Sequence, residues 1–159
     1  MSMAVRVWSD CPCVRGFVSA TPPQQDEITK GREMTTDNID FDHLLRSNLE
    51  RVFNERDDDK RRTAIAELFV EEPVMYEPTD IVQGRAEISR VAANLLKQFG
   101  PTFRFIPDGV AVGHHGLAHL AWHAGPEDGP VAVTGADVAE IEGGKIARLW
   151  VLLNAQKSK

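Results

Sequence analysis

A chain of 159 residues and 17.6 kDa is long enough to bury the core of one domain. Its 18 Lys and Arg against 24 Asp and Glu give a formal charge of −6, which argues against a nucleic-acid partner, because phosphate binding needs concentrated basic residues. No apolar run approaches the ~20 residues that span a bilayer, so no membrane partner is expected either.

Residues 1–37 mix isolated apolar residues with Thr21-Pro22-Pro23-Gln24-Gln25 and keep no sustained period, so they read as a disordered tail ahead of a domain at 38–155. Their apolar residues never form the central block of a signal peptide, and Met34 offers an alternative natural start. Cys11 and Cys13 both fall in this tail, leaving no cysteine for a core disulfide, which fits the reducing cytoplasm. Cys-Pro-Cys lacks the second ligand pair that a zinc site needs, so no metal is expected.

From Phe41 onward the pattern sharpens. Phe41, Leu44, Leu45, Leu49, Val52 and Phe53 recur at helical spacing, with Asp40 or Asp42 available as N-cap. A second helix is predicted from about Asp59 to Phe69, with Ile65, Leu68 and Phe69 on one face. The mixed run from Arg56 to Arg62 reads as a solvated junction before it. Pro73 closes that region, and Val74-Met75-Tyr76 forms a short strand before Pro78. Gly84 precedes a third helix, Arg85 to about Phe99, which buries Ile88, Val91, Ala92, Leu95 and Leu96 and stops at Gly100-Pro101. Four strands follow at Phe103–Val112, Leu117–Ala124, Val131–Ile141 and Lys145–Leu153, separated by turn-rich segments. Helices followed by consecutive hairpins predict an α+β fold with an antiparallel sheet.

Two stretches place a carboxylate inside an otherwise apolar, strand-like run, where a charge needs a partner or a task. One is Val74-Met75-Tyr76-Glu77-Pro78; the other is Gly135-Ala136-Asp137-Val138, upstream of Gly143-Gly144-Lys145-Ile146. With the order of elements over roughly residues 41–154, they resemble the SnoaL-like, nuclear transport factor 2-like superfamily, to which ketosteroid isomerase and polyketide cyclases belong. The resemblance implies a cone-shaped, curved antiparallel sheet wrapped around three N-terminal helices and a deep pocket. Many activities share this scaffold.

Residue by residue, Glu77-Pro78 matches the place of the isomerase's aspartate base before a proline, and Asp137 that of its protonated aspartate, a donor to the developing oxyanion. The isomerase's helix-one tyrosine corresponds to Leu49, which cannot donate. The acid–base set of limonene epoxide hydrolase is not matched, since the last strand carries Leu149-Trp150-Val151-Leu152-Leu153 where that enzyme has a carboxylate.

By strand parity and the family alignment, Ala118, Leu120 and Trp122 face the pocket, as do Leu149, Val151 and Leu153. A ligand-binding wall of Leu49, Leu120, Trp122, Val151 and Leu153 with two carboxyls suits a small hydrophobic, carbonyl-bearing molecule and needs no cofactor. Burial there is expected to raise both carboxyl pKa values. The structural alternatives are that Glu77 pairs with Arg85 or Arg104 at the sheet edge, and that Asp137 bonds backbone amides or a helix end.

His115, in the Gly113–Gly116 turn, is the reserve acid–base candidate at the pocket mouth. His119 and His123 share a strand face ~13 Å apart, too far to grip one metal. They lie on the outer face with Trp150 and Leu152, an apolar patch expected to pair two copies as a homodimer. Tyr76, next to Glu77, faces away from it and is expected to pack in the core. Two function classes stand: a cofactor-free isomerase, cyclase or hydratase, and a non-catalytic ligand-binding or dimerisation domain.

Overall fold

The computed structural model describes residues 39–154; the predicted tail, with Cys11, Cys13 and Met34, lies outside the described residues. Asp40 starts the first helix, α1 (Phe41–Asn48), by accepting the His43 backbone N–H at 2.9 Å. The helix continues as a π-helical turn, Leu49–Phe53, and Leu45, Leu49, Val52 and Phe53 form one buried stripe through both. Helix α2 spans Asp58–Leu68 and α3 spans Arg85–Phe99. Asp57 caps α2, accepting the N–H groups of Asp59 and Lys60, each at 3.0 Å.

The charged run ahead of α2 is only partly the solvated junction its composition suggests. Arg61 is 1% exposed. Its Nε donates to Ser89 Oγ of α3 at 3.1 Å, one terminal nitrogen donates to the Glu55 carbonyl at 2.6 Å, and the other pairs with Asp58. A guanidinium supplies five donors in a rigid fork, so this one side chain ties α2 to α3 and to the preceding loop.

Six strands follow, β1 (Phe69–Tyr76), β2 (Ile81–Gln83), β3 (Phe103–His114), β4 (Leu117–Pro126), β5 (Val133–Glu142) and β6 (Lys145–Leu153). They form one curved, unclosed sheet in the order β2-β1-β6-β5-β4-β3. Two differences from the sequence reading stand out. Pro73 does not end a helical region but lies inside β1, whose register shifts between Phe69 and Val74. A proline is tolerated at such a bulge, and its carbonyl still accepts the Gly84 N–H at 2.8 Å. The short strand β2, missed in the sequence, pairs antiparallel with β1.

The sheet is also not wholly antiparallel. β1 runs parallel to β6, Met75 opposite Leu149 and Tyr76 opposite Trp150. A parallel pair needs a long crossover, which the whole segment between the two strands supplies. The Gly143-Gly144 turn joins β5 to β6 with φ of 57° and 79°, the doubly left-handed conformation that tight hairpins favour.

The helices supply Leu44, Leu45, Leu49, Ile65, Ile88 and Ala92 to the same core as Met75, Leu120, Trp122, Ile146 and Leu149 of the sheet. Leu45 and Leu49 are almost wholly buried, each contributing about 1.5–3 kcal/mol by transfer from water. Among the described residues no helix is long and apolar enough to cross a membrane.

Candidate functional site

Asp137 sits mid-strand on β5, opposite Leu120 of β4 and Val151 of β6, and is 3% exposed. Its Oδ1 accepts the Trp122 indole N–H at 2.9 Å, and its Oδ2 accepts the Asn48 side-chain N–H at 3.3 Å. These partners are side chains, not the backbone amides or helix end considered from sequence. Burial pushes the Asp137 carboxyl up to about 6, while the bonds from Trp122 and Asn48 pull the other way. Among the described residues no cation pairs with it.

Gly135 makes this arrangement possible. It lies directly opposite Trp122 on β5, and an added Cβ would stand 2.7 Å from Trp122 Cζ2 and 2.4 Å from the Leu152 carbonyl oxygen. The missing side chain gives the indole room to lie along the sheet and reach the carboxyl two residues further on.

Glu77 follows the end of β1 in a tight loop closed by its own N–H donating to the Asp80 carbonyl at 2.9 Å. Its side chain is half-buried and has no hydrogen bond or ion pair among the described residues. Desolvation, then the nearby charge of Asp80, raises its pKa. The sheet-edge pairing with Arg85 does not form, because Arg85 donates to the Phe69 and Val70 carbonyls, each at 2.8 Å.

Both carboxyls open onto one cavity of about 30 Å³, lined also by Leu49, Phe53, Leu95, Phe105, Trp122 and Val151. Phe105 stands steeply to two other rings there. Phe105 meets Trp122 edge-on at 5.3 Å and 77°, and Phe53 at 6.0 Å and 65°. The volume holds about one water-sized group, so the rings fill much of the deep pocket expected.

Of the sequence candidates, Glu77, Asp137, Leu49, Trp122 and Val151 therefore meet at one cavity. Leu120 does not line it. It shares the inner row with Asp137 but is wholly buried as core. Leu153 has the inner parity yet is 51% exposed, because it lies at the last residue of β6, beyond the helices' cover.

His115 is set apart. It occupies the β3–β4 turn at φ 50°, exposed, with its ring against His114 at 3.1 Å between Nδ1 atoms. Seven residues along β4 separate it from Trp122, roughly 20 Å of strand, so it cannot act in the cavity. Tyr76 corrects another expectation. It packs not in the core but on the outer face, stacked on Trp150 at 5.0 Å and 9°. His123 lies on that face too, its Nδ1 2.6 Å from Asp108.

Phe53, Leu95 and Phe105 were legible as apolar positions but not as cavity walls, and Asn48 was missed. Its signal was present: Asn48 interrupts the stripe Leu44, Leu45, Leu49, Val52 with one amide at a core-facing position. Asn48 is wholly buried, and among the described residues its Oδ1 has no hydrogen-bond partner. Among the described residues, no group of three or more His, Cys, Asp or Glu could hold a metal ion.

The SnoaL-like domain family matches residues 48–149. No curated protein matches the chain significantly. Among solved structures, a candidate isomerase of the SnoaL-like family from Agrobacterium tumefaciens is 23% identical, with a TM-score of 0.66, over 71% of this chain and 96% of that one. A candidate ketosteroid isomerase from Kribbella flavida is 15% identical, with a TM-score of 0.57, over 76% and 82%. A candidate polyketide cyclase from Sinorhizobium meliloti is 19% identical, with a TM-score of 0.55, over 69% and 93%. The family match covers well over half of the residues, and the chain belongs to the SnoaL-like family.

Proposed function

We propose that this SnoaL-like protein is a cofactor-free, cytoplasmic acid–base enzyme of isomerase, cyclase or hydratase type, acting on a small hydrophobic molecule. One observation carries the reading: two carboxyls of unlike environment share a single apolar cavity. Asp137 is held rigidly by Trp122 and Asn48, which suits a group that positions the polar atom of a substrate. Glu77 is unbonded and half-buried at the cavity, which suits a group that swings and carries a proton.

A probe of this chemistry is exchange of the α-protons of 2-butanone in heavy water, followed by NMR. Wild type is expected to accelerate exchange over buffer, and Glu77→Gln and Asp137→Asn each to remove most of the acceleration. Exchange no faster than buffer, or equally fast in both variants, overturns the reading.

The small cavity favours a second reading, a non-catalytic ligand-binding or dimerisation domain on the same scaffold. Either way, the outer sheet face suits pairing of two copies. Val112, His119, Val138, Trp150, Tyr76 and Ile81 lie opposite one another in a single row across all six strands.

A further inference from the structure

We propose that the group entering the cavity is a protonated amine: the site recognises the ammonium head of a small organic cation whose apolar tail leaves toward the mouth. The inference shares its site with the acid–base reading above and adds the chemical class of the ligand.

Four observations converge. The first is charge. Among the described residues, Glu77 and Asp137 are the titratable groups lining the cavity, and no Arg, Lys or His lines it. Asp80, the next charge to Glu77, is also acidic. Buried charges are ordinarily paired, yet Asp137 meets only two neutral N–H donors. An anionic ligand would be repelled; a cation supplies the missing counter-charge.

The second is the wall. Phe53, Phe105 and Trp122 all line the same small space, Phe105 edge-on to both of the others, and an aromatic wall favours an organic ammonium wherever a ring face meets it. The third is size. About 30 Å³ admits one water-sized head group, such as a primary ammonium, but not a ring system.

The fourth is the hydrogen-bond ledger. Among the described residues, Asn48 Oδ1 is a buried acceptor without a donor, one amide width from the nitrogen that bonds Asp137. Trp122 can only donate, and the Asn48 amide already presents its nitrogen to Asp137. Of these groups Asp137 and Trp122 open onto the cavity, and an ammonium there would give the carboxyl the charged donor that neither neutral N–H supplies. With an ammonium seated on Asp137, the carboxyl left to move protons is Glu77.

The experiment uses the full chain and three probes of matched size: n-butylammonium, neutral n-pentanol and anionic n-butyrate. Binding is read at the Trp122 indole N–H resonance, identified by its loss in Trp122→Phe. Near pH 8, butylammonium is expected to bind at least ~10-fold more tightly than pentanol, with no saturable binding of butyrate.

The probe stays charged throughout. Its affinity should therefore follow Asp137, falling about 10-fold between about pH 8 and pH 5 as a carboxyl titrating near 6 takes up its proton. Asp137→Asn should erase the preference for the cation while pentanol binding persists. If that variant does not fold, the pH dependence of Glu77→Gln, which keeps Asp137 as the carboxyl of the cavity, decides.

Pentanol binding as tightly as butylammonium, or a cation affinity that does not change with pH, overturns the inference. If butanone exchange is catalysed while butylammonium is not preferred, the amine inference falls and the acid–base reading stands. The opposite pattern retains the amine site and removes the carbon-acid chemistry.

Discussion

Asp137→Asn should make the protein less sensitive to pH, and at neutral pH more stable relative to wild type than it is in acid. Burial pushes the folded carboxyl up to about 6 from an ordinary aspartate value of 3.8, a span of about two pH units. At ~1.4 kcal/mol for each, the linked free energy is about 3 kcal/mol.

The sign is opposite to that of a salt-bridged aspartate. Here the folded state holds the proton more tightly than the unfolded state. This contribution to stability is therefore fully present below about pH 4 and is lost as pH rises through about 6. An asparagine has the same shape and no charge. Its carbonyl can still accept from Trp122, and its new amide can donate to Asn48 Oδ1 if the Asn48 amide turns over.

Urea unfolding at a series of pH values from about 4 to 8 reads the effect directly. The stability of the variant minus that of wild type should rise by about 3 kcal/mol across this range, on the order of 10 °C in melting temperature. Two curves that stay parallel within ~1 kcal/mol would refute the claim that Asp137 is ionised without a counter-ion.

Three further outcomes are expected. Gly135→Ala should destabilise the fold by ~2–3 kcal/mol, because the new methyl meets both the Leu152 carbonyl and the Trp122 ring, and should shift the Trp122 indole N–H signal; an unmoved signal shows that the ring does not depend on that space. Arg61→Met should lose ~2–4 kcal/mol in urea unfolding through the unpaired Glu55 carbonyl and Ser89 hydroxyl, and a loss below ~1 kcal/mol shows that the bonds are not needed. In sedimentation, wild type should be a dimer that Trp150→Glu converts to monomer; a wild-type monomer, or a dimer that survives the charge, removes the outer face as the interface.

Much of this arrangement was legible because it rests on local chemistry. The bounds of α3 follow from Gly84 and Gly100-Pro101 around a periodic apolar face, and those of β6 from the Gly143-Gly144 turn. Strand parity carried Asp137, Trp122 and Val151 to one side of the sheet, since alternation is geometric once a strand is recognised.

What escaped the sequence depends on long-range partners. A proline inside β1 is tolerated only because a bulge and a parallel neighbour are there to accommodate it, and neither has a local signature. Arg61 looks like its charged neighbours until α3 arrives to bury it. Leu153 keeps the inner parity of its strand but runs out of helices to cover it, so alternation alone overstates the pocket.

The cavity brings together features that folding alone would eliminate. Replacing Asp137 and Asn48 by apolar residues of similar volume would remove an unneutralised buried carboxyl and an orphaned acceptor, each unfavourable in a core. Nothing in the packing of Leu45, Leu120 or Leu149 around them requires either polar group. The fold tolerates them because its apolar core extends across all three helices and the sheet, far beyond this corner. Gly135 points the same way: a glycine weakens the middle of a strand, and its effect here is to let one indole reach one carboxylate. Three locally unfavourable choices on two elements meet around one carboxyl that opens onto a space of about 30 Å³, a pattern that stability does not explain and recognition of a donor-rich ligand does.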